Sequence, residues 1–155
     1  MASALQRRIA GKRLRPYGRI WGKGGQMHTL LSGLMILLAI LDLVIGTGFL
    51  VDPASSGGDF GLSVATTHGS STLRGDMTAF FYIAAVSMAW GAWKRRGDIL
   101  LPALGLFAIA FAGRAINLAI EGVYDGWIVP MAVEALHIAV LTLAVKSWRW
   151  KPGAA

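Results

Sequence analysis

Apolar residues gather into four blocks, Thr29–Val51, Met77–Trp93, Ile99–Ile120 and Trp127–Val145, separated by segments rich in charge, glycine and serine. Each block has about 17–25 residues, the length an α-helix needs to cross roughly 30 Å of hydrocarbon. The strict apolar–polar alternation of a membrane β-barrel is absent. The pattern therefore predicts an all-α fold, a four-transmembrane-helix bundle with spans at 29–51, 77–93, 99–120 and 127–145. The second and third connections are short, so the second helix must lie antiparallel to the third and the third to the fourth. The first connection, 52–76, is the longest. Pro53, Ser55, Ser56, Gly57, Gly58 and Gly61 mark it as irregular backbone that caps the helix ends. Small residues recur four apart at Ala85/Ala89, Ser87/Gly91, Ala108/Ala112 and Ala135/Ala139, a spacing that permits close helix approach.

Composition agrees with this division. The chain has 155 residues, 55% of them hydrophobic, and a mean hydropathy of +0.56, more apolar than an ordinary soluble domain. The first block is too long for a signal-peptide core, and its 28-residue leader too long for a signal n-region, so it reads as a retained span. The chain has no cysteine, which excludes disulfides, thiol redox chemistry and thiolate metal sites.

The net charge of +7 is concentrated on one side. Arg7, Arg8, Lys12, Arg13, Arg15, Arg19 and Lys23 precede the first span. Lys94, Arg95 and Arg96 lie between the second and third, and Lys146, Arg149 and Lys151 follow the fourth. Together they are 13 of the 15 basic residues, leaving Arg74 and Arg114. The positive-inside rule then puts both termini and the second connection in the cytoplasm, and the acidic first and third connections outside. Residues 1–26 read as a basic cytoplasmic tail whose cations touch anionic lipid headgroups, 27–147 as the membrane domain and 148–155 as a short cytoplasmic end. A pI near 10.4 is thereby explained without nucleic acid. Trp21, Trp93, Trp127, Trp148 and Trp150 flank the spans and read as interfacial anchors; His28 reads as an interfacial residue and His68 as a loop residue.

The informative anomaly is Arg114, the one charge inside Ile99–Ile120. A guanidinium at membrane depth costs several kcal/mol or more unless it is paired or faces a wet cavity, and it cannot shed its proton. At about 1.5 Å per residue, Arg114 lies roughly 9 Å below the outer end of its helix and Glu134 roughly 10 Å below the outer end of the next. The two helices are consecutive and antiparallel, so Glu134 is the expected partner. Asp42 and His137 lie deeper, about 13 and 15 Å down, and Glu134 and His137 share a helix face. Asn117 leads from Arg114 toward the outer mouth, where Arg74 and Asp76 sit. All these groups fall in the outer half of the bilayer, which suggests a polar pocket open to the outside. Asp42, Arg114 and Glu134 sum to −1 when ionised, so the cluster should hold a proton or recruit a cation, through His137 or simply as a protonated Asp42, and His137 also reads as a hydrogen-bonded core histidine. Against this, Arg114 and Glu134 can also be read as a buried pair that only fixes helix register. Glu134-x-x-His137 has the spacing of di-iron four-helix proteins, but those sites use two such motifs plus two further carboxylates and this chain has one motif, so no metal site and no cofactor are expected.

Leu73-Arg74-Gly75-Asp76 at the start of the second helix, Gly113-Arg114 late in the third, Asp125-Gly126 in the last connection and Glu134 in the fourth resemble a known family. It is the small bacterial inner-membrane proteins of domain-of-unknown-function family 4345. The resemblance covers about residues 30–147. It departs where many members carry aromatic and glycine residues after the first arginine; here the segment is Met77-Thr78-Ala79-Phe80. The resemblance implies a four-helix bundle in the bacterial inner membrane and importance for Arg74, Arg114 and Glu134, and it implies no activity.

Three function classes follow. The first is a protein that binds a small ligand or lipid headgroup in the outward pocket, alone or as a transport component. The second is an accessory subunit of a larger membrane complex, without chemistry of its own. The third is a membrane enzyme using Asp42, Glu134 and His137 as acid–base groups, weakened by the lack of an activated nucleophile or metal triad. The expected partners are the lipid bilayer and either further copies of the chain or a larger complex.

Overall fold

A computed structural model of the chain describes residues 23–148. Its elements are α1 (Lys23–Val51), α2 (Pro53–Asp59), α3 (Thr67–Thr72), a π-helical turn (Leu73–Met77), α4 (Thr78–Lys94), a 3₁₀ turn (Asp98–Leu100), α5 (Leu101–Glu121) and α6 (Ile128–Ser147). No strand occurs among the described residues. Three helical stretches are long and apolar enough to cross a membrane, Gly25–Val51, Asp98–Glu121 and Ile128–Ser147. α4 has 17 residues and runs on without a break from α3 and the π turn. Of the basic tail, Arg7, Arg8, Lys12, Arg13, Arg15 and Arg19 lie outside the described residues, and Lys23 opens α1. The first helix thus begins six residues before the expected Thr29, with Gly24, Gly25 and Gln26 in its first turn.

The four long helices form a ring in the order α1, α4, α5, α6. The α1–α4 seam is the most extensive and the α1–α6 seam the thinnest of the four. α1 and α4 lie close because Gly46 faces Tyr82: a Cβ on Gly46 would stand 2.7 Å from the Tyr82 ring. Beside it the Thr78 hydroxyl donates to the Gly46 carbonyl at 3.2 Å, and Thr47 Oγ1 meets Tyr82 Oη at 3.0 Å. Of the small-residue pairs, Ala85/Ala89 and Ser87/Gly91 lie at least partly inside the bundle, whereas Ala108/Ala112 and Ala135/Ala139 are exposed.

The interior is layered. Toward the end that carries Lys94–Arg96 and Lys146, the core is apolar: Met35 and Leu38 of α1, Met88 of α4, Leu100, and Leu141 and Ala144 of α6. The opposite end holds an aromatic cluster in which Phe49 packs against Phe60 and Phe81. Between the two layers lie the buried polar side chains Asp42, Glu134 and His137.

The first connection is more regular than its Gly/Ser content predicts. Asp52 caps α2 by accepting from the backbone N–H groups of Ala54 and Ser55 at 3.2 and 3.1 Å, with Pro53 at the first helical position, where its missing N–H costs nothing. Thr66 caps α3 in the same way through Gly69 N–H at 3.1 Å. Phe60 then seats the connection on Phe49 and Phe81.

At the basic end α4 stops at Arg95, whose φ of 49° is left-handed. Arg96 Nε donates to Asp98 Oδ1 at 3.1 Å across the turn. Trp148 corrects the sequence expectation. It is only 4% exposed and donates its indole N–H to His28 Nδ1 at 3.0 Å, so it joins α6 to α1 and is not the exposed belt residue expected. An indole buries a large apolar area once its N–H has a partner, and His28 supplies one.

Gly97 is where this end packs directly against backbone. Its N–H donates to the Trp148 carbonyl at 2.8 Å, and a Cβ would stand 2.8 Å from the Val145 carbonyl oxygen and 2.9 Å from its Cα. Both neighbours are backbone, which cannot rotate away. Gly97→Ala should therefore destabilise the protein by about 1–3 kcal/mol, read as a lowered midpoint of thermal unfolding in detergent. Gly33→Ala, with no atom within 4 Å of the added carbon, should leave the midpoint unchanged or raise it.

Candidate functional site

Arg114 and Glu134 are brought together by the short turn between α5 and α6. α5 ends at Glu121, with Gly122 at φ 85° turning the chain, and α6 starts at Ile128. Arg114 is seven residues before the end of α5 and Glu134 six residues after the start of α6, so an antiparallel hairpin sets them level. Arg114 Nε donates to Glu134 Oε1 at 2.8 Å. The two side chains are unequally covered: the arginine is 32% exposed and the glutamate 8%. Glu134 Oε2 is buried without a hydrogen-bond partner. Tyr124 of the α5–α6 turn stands beside the guanidinium as a second polar neighbour. A shallow, open depression lined by residues 123–129 lies on that turn.

Three residues further along α6, His137 is wholly buried, as is Asp42 of α1 at 1% exposure. His137 Nε2 stands 3.5 Å from Asp42 Oδ1. Its other ring nitrogen, Nδ1, is 2.8 Å from the Val133 carbonyl one turn back on α6. Phe107 of α5 stacks on the imidazole, ring centres 4.0 Å apart and planes inclined by 25°. Phe107 is in turn packed edge-on by Phe80 of α4. α1, α5 and α6 thus meet at this histidine, and α4 is joined to it through Phe80 and Phe107.

The remaining candidates stand apart from these two contacts. Arg74, in the π turn, donates from Nε to the Leu50 carbonyl at 2.9 Å. It satisfies one of the carbonyls left open at the end of α1, a structural use of the cation at a helix C-terminus. Asp76 and Asn117 are exposed and make no side-chain hydrogen bond among the described residues. No group of three or more His, Asp or Glu side chains among the described residues is arranged to hold a metal ion.

Two participants escape a reading of the sequence. Phe107 looks like any other apolar residue of its block. The Val133 carbonyl is a backbone group, and its only signal is the four-residue spacing that lets a helical histidine bond back one turn.

The asymmetric burial of the Arg114–Glu134 pair makes its energetics testable. Arg114→Leu alone leaves a buried carboxylate without its counter-charge and should cost about 3–5 kcal/mol. Arg114→Leu combined with Glu134→Leu removes both charges and should recover most of that loss. Unfolding midpoints of the two single variants and the double variant in detergent micelles measure the coupling; additive losses would mean the two side chains do not interact.

Comparison with family models, curated proteins and solved structures gives no match.

Proposed function

We propose that the chain is a four-span protein of the bacterial inner membrane, with both termini cytoplasmic, that recognises an anionic oxygen group at an outward-facing polar pocket around Arg114 and Glu134. The fourth span is supported by the continuous helical stretch from Thr67 to Lys94; α4 alone covers about 25 Å, and the π turn and α3 extend it. The orientation is supported by the charges at the two ends. Lys94, Arg95, Arg96 and Lys146 lie at one end and Asp52, Asp59, Asp76, Glu121 and Asp125 at the other. Membership of domain-of-unknown-function family 4345 belongs to the same proposal, with Arg74 as the residue that ties its motif to the end of α1.

One observation carries the reading of the site. Arg114 sits in an apolar helix, yet a third of its side chain is open and only Nε is committed to Glu134. Its two terminal nitrogens, beside Tyr124 on the α5–α6 turn, carry the N–H groups that would meet a ligand. A phosphate accepts such donors with charge-assisted hydrogen bonds, and it is carried by lipid headgroups and by small anions alike.

A second reading, an accessory subunit of a larger membrane complex, is favoured by the outward face of α5. Ala108, Ile109, Ala112, Gly113, Ile116 and Asn117 are all exposed, a smooth strip on which another helix could lie.

Native mass spectrometry of the delipidated protein separates the readings. Phosphatidylglycerol, phosphatidylcholine and inorganic phosphate are offered in turn to the wild type and to the Arg114→Leu, Glu134→Leu double variant. The wild type should retain a phosphate-bearing ligand about 10-fold or more better than the double variant, the scale of one lost charged hydrogen bond. Equal retention overturns ligand recognition. A second protein in fixed stoichiometry after mild extraction supports the accessory role.

A further inference from the structure

We infer that Asp42 and His137 form a binding site for one proton, bridging α1 and α6 inside the membrane domain. The argument begins with hydrogen-bond donors. A carbonyl oxygen can only accept, so the 2.8 Å contact with Val133 requires the proton on His137 Nδ1. Nε2 then turns toward Asp42 Oδ1 at 3.5 Å. Without a further proton, a lone pair faces a carboxylate, and neither has a donor. Nε2 and Asp42 Oδ2 are both buried and have no other hydrogen-bond partner. Two unsatisfied acceptors, one of them charged, are costly in an apolar interior. One proton resolves the conflict, as a neutral imidazole facing a carboxylic acid or as an imidazolium facing a carboxylate. Either form makes the pair neutral.

The surroundings supply no other answer. From α6 the nearest ionisable neighbour is Glu134, whose charge is taken by Arg114 of α5. α5 otherwise presents Phe107, and α4 presents Phe80 and Phe81 through the aromatic cluster. Thr78 of α4 donates to Gly46. Thr47 of α1 donates to the Leu43 carbonyl. His28, at the far end of the α1–α6 seam, accepts from Trp148. None of these donates to the pair. The site also lies on the thinnest seam of the ring, where a shared proton joins two helices that have few other contacts. This inference rests on the two contacts of His137 and stands whether or not Arg114 recognises an anion.

The test uses the full-length protein labelled with [15N]histidine in nanodiscs at neutral pH. The chain has three histidines, His28, His68 and His137, and the signal lost in His137→Gln identifies the third. Nitrogen shifts report which ring atoms carry protons, and infrared difference spectra against Asp42→Asn report a carboxylic acid at position 42. The expected result is a protonated Nδ1 together with one further proton. That proton appears either on Nε2 or as a carbonyl band that Asp42→Asn removes. Two results overturn the proposal. One is a neutral His137 with no Asp42-dependent acid band, which leaves the pair without its proton. The other is a neutral ring carrying its proton on Nε2 with Nδ1 bare. If Asp42→Asn fails to fold, difference spectra against Asp42→Glu, which keeps a carboxyl group and displaces its band, make the same assignment.

Discussion

A guanidinium and a carboxylate that meet between two apolar helices hold each other in place more firmly than either could be held alone. Beyond Phe107, α5 contributes no fully buried side chain. What joins its second half to α6 is therefore limited in apolar contact, and the Arg114–Glu134 hydrogen bond is its defined polar tie. The pair adds little net stability compared with a well-packed apolar replacement, because both groups lose hydration. Its effect is on register. Sliding α5 by one turn would strand the carboxylate, which is 8% exposed, so only one alignment of the two helices is acceptable.

The second polar contact extends that constraint to the rest of the ring. Glu134 and His137 occupy one face of α6, so the alignment that pairs Glu134 with Arg114 also aims His137 at Asp42. The imidazole is then clamped by Phe107, and a run of ring contacts continues through Phe80 and Phe81 to Phe49 and Phe60. The helical cap of the first connection is thereby linked, ring by ring, to the polar layer. Aromatic pairs of this kind add to what area burial alone provides, and here they tie together elements that the α1–α6 seam leaves loosely joined.

How much of this could be read from the sequence depends on the length of chain between partners. Arg114 and Glu134 are separated by one short turn, so helical rise alone predicts their meeting. Asp42 and His137 come out at similar depth by the same arithmetic, but depth does not say which helices are neighbours. No short connection joins α1 to α6, and their contact appears only once the ring closes. Trp148 shows a different limit. A tryptophan at the end of an apolar block fits an interfacial belt equally well as a buried joint, and the choice is made by His28, 120 residues away. In the first connection the signal was present: Asp52-Pro53 is a helix cap followed by a favoured first residue, and the glycines and serines around it obscured the short helix.

The open edge of Arg114 and the bare strip of α5 pose one physical problem. Both lie on the same half of the helix, and Gly113, next to the arginine, would admit a Cβ without touching anything within 4 Å. An occupant of this face must lay a thin apolar surface over Ala108, Ala112 and Gly113 and bring an acceptor to the guanidinium. A neighbouring helix can provide the surface, but its backbone acceptors are already used and it would need a polar side chain at the matching depth. A phospholipid has both parts in the required order, an acyl chain below and a phosphate above. Arg114 lies about 10 Å from the end of α5, within the range from which a long side chain can reach up to a headgroup. In the proposed membrane orientation a phospholipid would meet both requirements, whereas a second helix meets the first and needs an added polar side chain for the other.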